Sequence, residues 1–430
     1  MSEWKEYRLG DLGKIITGKT PSTKDSSLYD GHIPFICIPD LGESKRVMKT
    51  NKTITTKGAN TIKNLLLPSN SVVVSCIATI GKVGITSTTS LTNQQINSII
   101  PNPSIVNSDF LYYLLKNSGD KIGIYGGGGS VFNIISKSKF SEIPFSIPSL
   151  PTQSAIAEIL SSLDDKIELN NKINQELENL AQTLFKQWFI DFEFPNENWE
   201  PYKSTGGEMV DSELGEIPKG WGISTIGDWG QIICGKTPSK SNKEYYGKDV
   251  LFIKIPDMHN NVFVIKTEDG LSTLGANSQK NKLLRKGTVI LSSIATVGLV
   301  SIVSKYSQTN QQINAVIPNN RIYTYFLYLM LKIKTDDFKQ LASGGSATLN
   351  MNTSTFKAYK LLIPSELLLI QFDEFANDLF DKIYQQSLEI EELTTLRDTL
   401  LPKIISGELV VPSKKHSLIT DNLKKVGIEL

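Results

Sequence analysis

Cysteine is scarce, with three in 430 residues. Cys37, Cys76 and Cys234 form no CxxC pair and no even framework, which argues against a disulfide scaffold and a thiolate zinc site. Histidine is equally rare. His32, His259 and His416 do not cluster in the sequence, so each reads as a surface or turn residue and no metal is predicted. No apolar stretch reaches the roughly 18 residues of a membrane span. The start, MSEWKEYRLGD, has no apolar leader segment, so a cytoplasmic protein is expected. An excess of one charge is also missing, because 45 Lys and Arg stand against 44 Asp and Glu.

The most informative feature is a duplication. Trp4 to Asn102 aligns without a gap on Trp221 to Asn319, and 47 of the 99 positions are identical. GKTPS recurs at 18 and 235, IPD at 38 and 255, IAT at 77 and 294, and TNQQIN at 92 and 309. After a one-residue slip, FLYYLLK at 110 matches FLYLMLK at 326. A period this long exceeds the roughly 20 to 50 residues of solenoid repeats, so a whole domain has been copied. Module and helix alternate: a first module over 1–150, a long helix over 151–194, a connection over 195–217, a second module over 218–365, a second long helix over 366–408 and a polar tail over 409–430. Within each module, β-branched runs such as VVVSCIATIGKVGIT, broken by glycine, predict strands, and DFLYYLLK a short helix. The fold class is therefore α/β.

The near-zero net charge conceals a segregation that both copies share. Residues 1–150 carry 16 basic against 10 acidic side chains, and 218–365 carry 18 against 8. Residues 151–217 carry 4 against 14, and 366–430 carry 7 against 12. Basic modules point to a polyanion. Acidic helices suit contact with protein better than with phosphate.

Apolar spacing of three and four runs through Ile156, Leu160, Leu163, Ile167, Leu177, Ala181, Leu184 and Trp188, with Asn170 and Asn174 in the two central seam positions. The second helix gives Phe372, Ala376, Leu379, Ile383, Gln386, Ile390, Leu393, Arg397 and Leu400. Asn170 and Gln386 fall at the same place in the two copies, and polar seam residues commonly fix register. A defined coiled-coil pairing is expected, with two separate helices lying on their own modules as the alternative. The same seam residues are candidates for partner docking.

Two catalytic strings match and fail. Gly13-x4-Gly18-Lys19-Thr20 and Gly230-x4-Gly235-Lys236-Thr237 satisfy the P-loop expression. However, Ile15-Ile16 and Ile232-Ile233 fall where the loop should be, and Pro21 and Pro238 follow the Thr. Pro39-Asp40 with Glu43-Ser44-Lys45 imitates a nuclease motif, but its acids are too close together, and its counterpart, Pro256-Asp257-Met258-His259-Asn260, lacks Glu and Lys. There is no methyl-donor loop and no Asn-Pro-Pro-aromatic motif, and Asn102-Pro103-Ser104 does not qualify. Catalysis is not predicted.

What remains is amide and hydroxyl chemistry beside basic residues. Lys19 and Lys236, shared by both copies, are expected to hold phosphate. Gly128, Gly129 and Ser130, and in the second copy Gly344, Gly345 and Ser346, offer either backbone N–H groups to phosphate or a hairpin tip. In TNQQIN, Asn93, Gln94, Gln95 and Asn97, with Asn310, Gln311, Gln312 and Asn314, either tie loops together or read adenine, and scaffolding is the favoured reading. Base reading is assigned to where the copies diverge, at Lys24, Lys45 and Arg46 in the first and Lys240, Lys243, His259, Asn260 and Asn261 in the second. Tolerant surface loops are the alternative there.

With these segments in view, the chain closely resembles the specificity subunits of type I restriction-modification enzymes. The resemblance rests on the duplicated GKTPS, IPD, IATxG and TNQQIN segments, on IPSLP-TQSAIAEILSSLDDKI followed by a long helix and WFIDF, and on SELGEIPKGW before the second module. It implies two mixed α/β target-recognition domains, each reading half of a split double-stranded DNA sequence, separated by two antiparallel helices. It further implies docking of two methyltransferase subunits, which methylate adenine with S-adenosylmethionine, and of two subunits that use ATP and magnesium to translocate and cut DNA. Cofactors then belong to the partners, with none on this chain. The two modules here are more alike than paired modules in that family often are. Other readings are an adenine methyltransferase or ATP-dependent DNA enzyme in its own right, carried only by the P-loop string, and a free-standing DNA-bridging scaffold.

Overall fold

The computed structural model describes residues 4–42, 44–125, 134–343 and 349–411. The chain divides into two compact units, Met1–Glu168 with Leu393–Leu430, and Leu169–Glu392. Each long helix contributes one part to each unit.

Both modules repeat one topology. In the first, a five-stranded sheet has the order Gly13–Thr17, Ile96–Pro101, Val72–Ser75, Val83–Thr86, Arg46–Val47, beside a three-stranded sheet of Thr53–Ile54, Tyr29–Ile36 and Leu91–Thr92. In the second the same orders recur, as Gly230–Cys234, Ile313–Pro318, Val289–Ser292, Val300–Val303, Phe263–Val264 and as Gly270–Leu271, Tyr246–Ile253, Ser307–Thr309. The sheets are mixed. Arg46–Val47 runs parallel to Val83–Thr86, whereas Val72–Ser75 is antiparallel to both its neighbours.

The β-branched runs form the central strands because they are buried on both faces. Side chains alternate across a strand, so Val72 and Val74 enter one core while Val73 enters another. Val289 and Leu291 likewise part from Ile290. Helix Ser108–Lys116 starts where the Asn107 side chain accepts the Phe110 N–H at 3.0 Å, and it buries Phe110 through Leu115. Its counterpart is Tyr323–Ile333.

The long helices are Leu150–Phe189 and Glu366–Ile405, 40 residues each, or about 60 Å at 1.5 Å per residue. They run antiparallel within each unit. Asp164 meets Arg397 in the first unit, and Asn170 meets Glu389 and Asn174 meets Ser387 in the second. The first helix ends before Pro195, because Phe192 adopts a positive φ of 62° and turns the chain. The stretch read as an aperiodic connection contains a hairpin of Met209–Ser212 and Gly215–Pro218.

Candidate nucleic-acid interface and its helical support

The GKTPS and TNQQIN segments, 74 residues apart, form one edge of each module. Lys19 N donates to Thr92 O at 3.0 Å, and the Thr20 hydroxyl donates to Gln94 Oε1 at 2.7 Å. Asn93 Nδ2 donates to Gln95 Oε1 at 2.9 Å, and Gln95 N donates back to Asn93 Oδ1 at 3.0 Å. The second module repeats each bond, with Thr237 to Gln311 at 2.8 Å, Asn310 to Gln312 at 2.9 Å and Gln312 N to Asn310 at 3.1 Å. Gly18 and Gly235 are required by this close approach, since a Cβ would lie 2.2 Å from Asn93 O and 2.1 Å from Asn310 O. Asn97 and Asn314 are buried and donate to the carbonyls of Ile135 and Met351.

These amides hold loops together. Lys19 and Lys236, with Gln94 and Gln311, stay exposed on the edge so built. A lysine beside an amide on a fixed turn suits phosphate oxygen. Lys24, Lys240 and Lys243 are exposed as well. In the second module a cleft of about 690 Å³ opens beside this edge, lined by Lys240, Tyr246, Lys254, Asp269, Asn310 and Gln311 among others. Gly128, Gly129, Ser130, Gly344, Gly345 and Ser346 lie outside the described residues.

After IPD, two of the base-reading candidates are bound to groups of the protein itself. Lys45 is buried, its amine donates to Ser161 Oγ at 2.8 Å and it lies 3.5 Å from Asp109 Oδ1. Arg46 donates to Asn70 at 2.8 Å and to Asp109 at 3.1 Å. A buried ammonium must be paired, and Lys45 is; Arg46, with its side chain 35% exposed, is held by the same Asp109. Asn260 takes a positive φ of 59°, which Asn tolerates better than most residues, and Asn261 Nδ2 donates to Asp257 O at 3.0 Å. Both line a recess of about 360 Å³ with Asn171, Glu178 and Glu391 of the long helices. Asn260 and Asn261 are exposed on a turn beside the acidic helices, which are a poor place for DNA. His259 is exposed on the same turn.

The helices reach into the modules through acids that the sequence reading did not single out. Asp164 accepts from the Tyr113 hydroxyl at 2.7 Å and from Arg397 at 2.7 Å. Glu178, 6% exposed, accepts from Tyr328 and Lys332. Burial first, then the Glu178 carboxylate, pushes the Tyr328 hydroxyl well above its ordinary value. Asp373 pairs with Arg321 at 2.7 Å, yet burial raises its carboxyl. Glu178 directly follows seam residue Leu177, and an acid beside a seam position was the one available signal. The seam itself holds Leu163, Ile383, Asn170 and Gln386 buried, with Ile167, Leu177, Leu184, Leu379, Leu393 and Leu400 half-buried. Phe185, Phe189 and Phe380, off the expected seam, are fully buried against the second module.

Gly13–Thr17 and Gly230–Cys234 are strands in a sheet, so neither P-loop string has the loop it needs. Among the described residues, no group of three or more His, Cys, Asp or Glu is placed to hold a metal, and no helix is long and apolar enough to cross a membrane.

A family model for the type I restriction modification DNA specificity domain matches residues 1–179 and 218–371. The type I restriction enzyme HindI specificity subunit of Haemophilus influenzae is 36% identical, over 95% of this chain and 100% of its own length. The MjaIX specificity subunit of Methanocaldococcus jannaschii is 29% identical, over 95% of this chain and 94% of its own. The type I restriction-modification S subunit from M. genitalium shares the fold, with a TM-score of 0.58 at 18% identity across 94% of this chain and 96% of that one. With a duplicated α/β module, antiparallel long helices and these matches along nearly its whole length, the chain belongs to the specificity subunits of type I restriction-modification enzymes.

Proposed function

We propose that this chain selects the double-stranded DNA sequence on which a type I restriction-modification complex acts, each module reading one half of a two-part target. The observation that carries this reading is an edge built twice by the same hydrogen bonds, presenting Lys19 with Gln94 in one module and Lys236 with Gln311 in the other. Two similar readers in one chain bind two separated segments, and the lysines supply the phosphate contacts that most nonspecific affinity rests on.

The long helices are proposed to dock two methyltransferase subunits. Supporting this, Glu168, Glu176, Asp378 and Glu392 are exposed there, and so are Leu169 and Leu180, at 51% and 55%. S-adenosylmethionine belongs to those subunits, and ATP and magnesium to two restriction and translocation subunits, in the cytoplasm. Selection of duplexes from a randomised pool by the purified chain tests the reading. Two conserved half-sites at a fixed spacing are expected, and enrichment of a single contiguous site or of none contradicts it.

A further inference from the structure

The cleft beside the Lys236 edge holds a shared frame and three positions that break the duplication. Thr237, Tyr246, Phe252, Asn310 and Gln311 line it, and the constant offset of the repeat puts Thr20, Tyr29, Phe35, Asn93 and Gln94, the same residue types, at the matching places in the first module. The frame is held alike: Tyr29 donates to Pro21 O at 2.7 Å, and Tyr246 to Pro238 O at 2.9 Å. The other three lining residues, Lys240, Lys254 and Asp269, have Thr23, Cys37 and Lys52 as their counterparts.

The exchange keeps the charge and changes the hydrogen-bonding pattern. Each set of three sums to one positive charge, so attraction to phosphate is matched. In the second module Lys254 and Asp269 form an ion pair whose side chains are 38% and 42% exposed, offering a donor and an acceptor side by side in reach of solvent. The first module has no carboxylate at these positions. Cys37 sits against Asn93 with Asp40 and Lys52 nearby, and burial, then the Asp40 carboxylate, pushes its thiol up, leaving a neutral, weakly polar group where the second module has the Lys254 amine.

We infer that these three positions set the difference between the two half-sites. The inference rests on the DNA-recognition reading above and deepens it. Asp269 demands an exocyclic amine, and with Lys254 donating to a purine acceptor the pair fits a G·C base pair: lysine to guanine O6 or N7, carboxylate to cytosine N4. The first module, with Cys37 and Lys52, makes no demand for an amine there and accepts a pair whose neighbouring edge is the thymine methyl group.

The test exchanges the positions in the full-length chain and repeats selection from a randomised duplex pool. Thr23→Lys with Cys37→Lys and Lys52→Asp should convert one base pair of the first half-site to that of the second, leaving the second half-site and the spacing unchanged. The reciprocal Lys240→Thr with Lys254→Cys and Asp269→Lys should do the converse. Asp269→Asn, the mildest change, should relax discrimination at one base pair of the second half-site by about 10- to 100-fold. Selection of unaltered half-sites by these variants overturns the inference while leaving the DNA-recognition reading intact. A wild-type chain that selects no sequence overturns that reading, and the inference with it.

Discussion

Glu178, on the first long helix, accepts the hydroxyl of Tyr328, 150 residues away on the module helix Tyr323–Ile333. The carboxylate is almost fully buried and also pairs with Lys332. Module and helix are thus joined by a charge-assisted bond inside a core, and removing the acceptor leaves the proton of a buried hydroxyl without an acceptor. Glu178→Ala is expected to destabilise the chain by about 1–3 kcal/mol, with Glu178→Gln less costly because its carbonyl still accepts. Denaturant unfolding of the three proteins measures this, and equal midpoints would show that the bond contributes nothing.

Lys45 has a fate of the same kind. Its amine is buried against Ser161 and lies near Asp109 and Asp165, so Lys45→Met should lower stability by about 1–3 kcal/mol and leave the selected DNA sequence unaltered. A changed half-site from this variant would return Lys45 to base reading.

Lys19 and Lys236 have the opposite character, being exposed and shared by both copies. Replacing either with Ala should weaken binding to every duplex in similar proportion and reduce the slope of log affinity against log salt by about 1. Titrations at several salt concentrations decide this. A loss confined to one sequence would make these lysines base readers.

The duplication, the module topology class and the long helices were legible in the sequence, because each depends on local pattern: repeat offset, β-branched runs and heptad spacing. The TNQQIN amides were read as scaffold because identical residues in two readers favour a common framework, and Asn93 and Asn310 make matching bonds to Gln95 and Gln312. Lys45 was not legible. Its partner Ser161 lies 116 residues on, and nothing in the local sequence distinguishes an anchored lysine from a free one. The charge of the helices also has an internal use that composition does not show, since Asp164, Glu178 and Asp373 complement groups inside their own units. Similarly, the three divergent cleft positions lie in three separate loops, and only the fold collects them.

The paired helices carry a prediction about spacing. Because they run antiparallel, an insertion in one needs a matching insertion in the other, and the compact units divide after Glu168 and after Glu392. Four residues added at both places should lengthen the pair by about 6 Å, or one to two base pairs at about 3.4 Å each. The half-sites should stay the same while the spacing between them grows. An unchanged spacing would refute the helices as the ruler.

The central claim is that this chain alone decides where a methyltransferase acts. Mapping adenine methylation across the host genome, with and without the gene for this chain, tests it most directly. The account predicts a two-part motif, methylated in the presence of the chain and unmethylated in its absence, with partner subunits expressed in both cases. Persistence of the same motif after its removal would contradict the account.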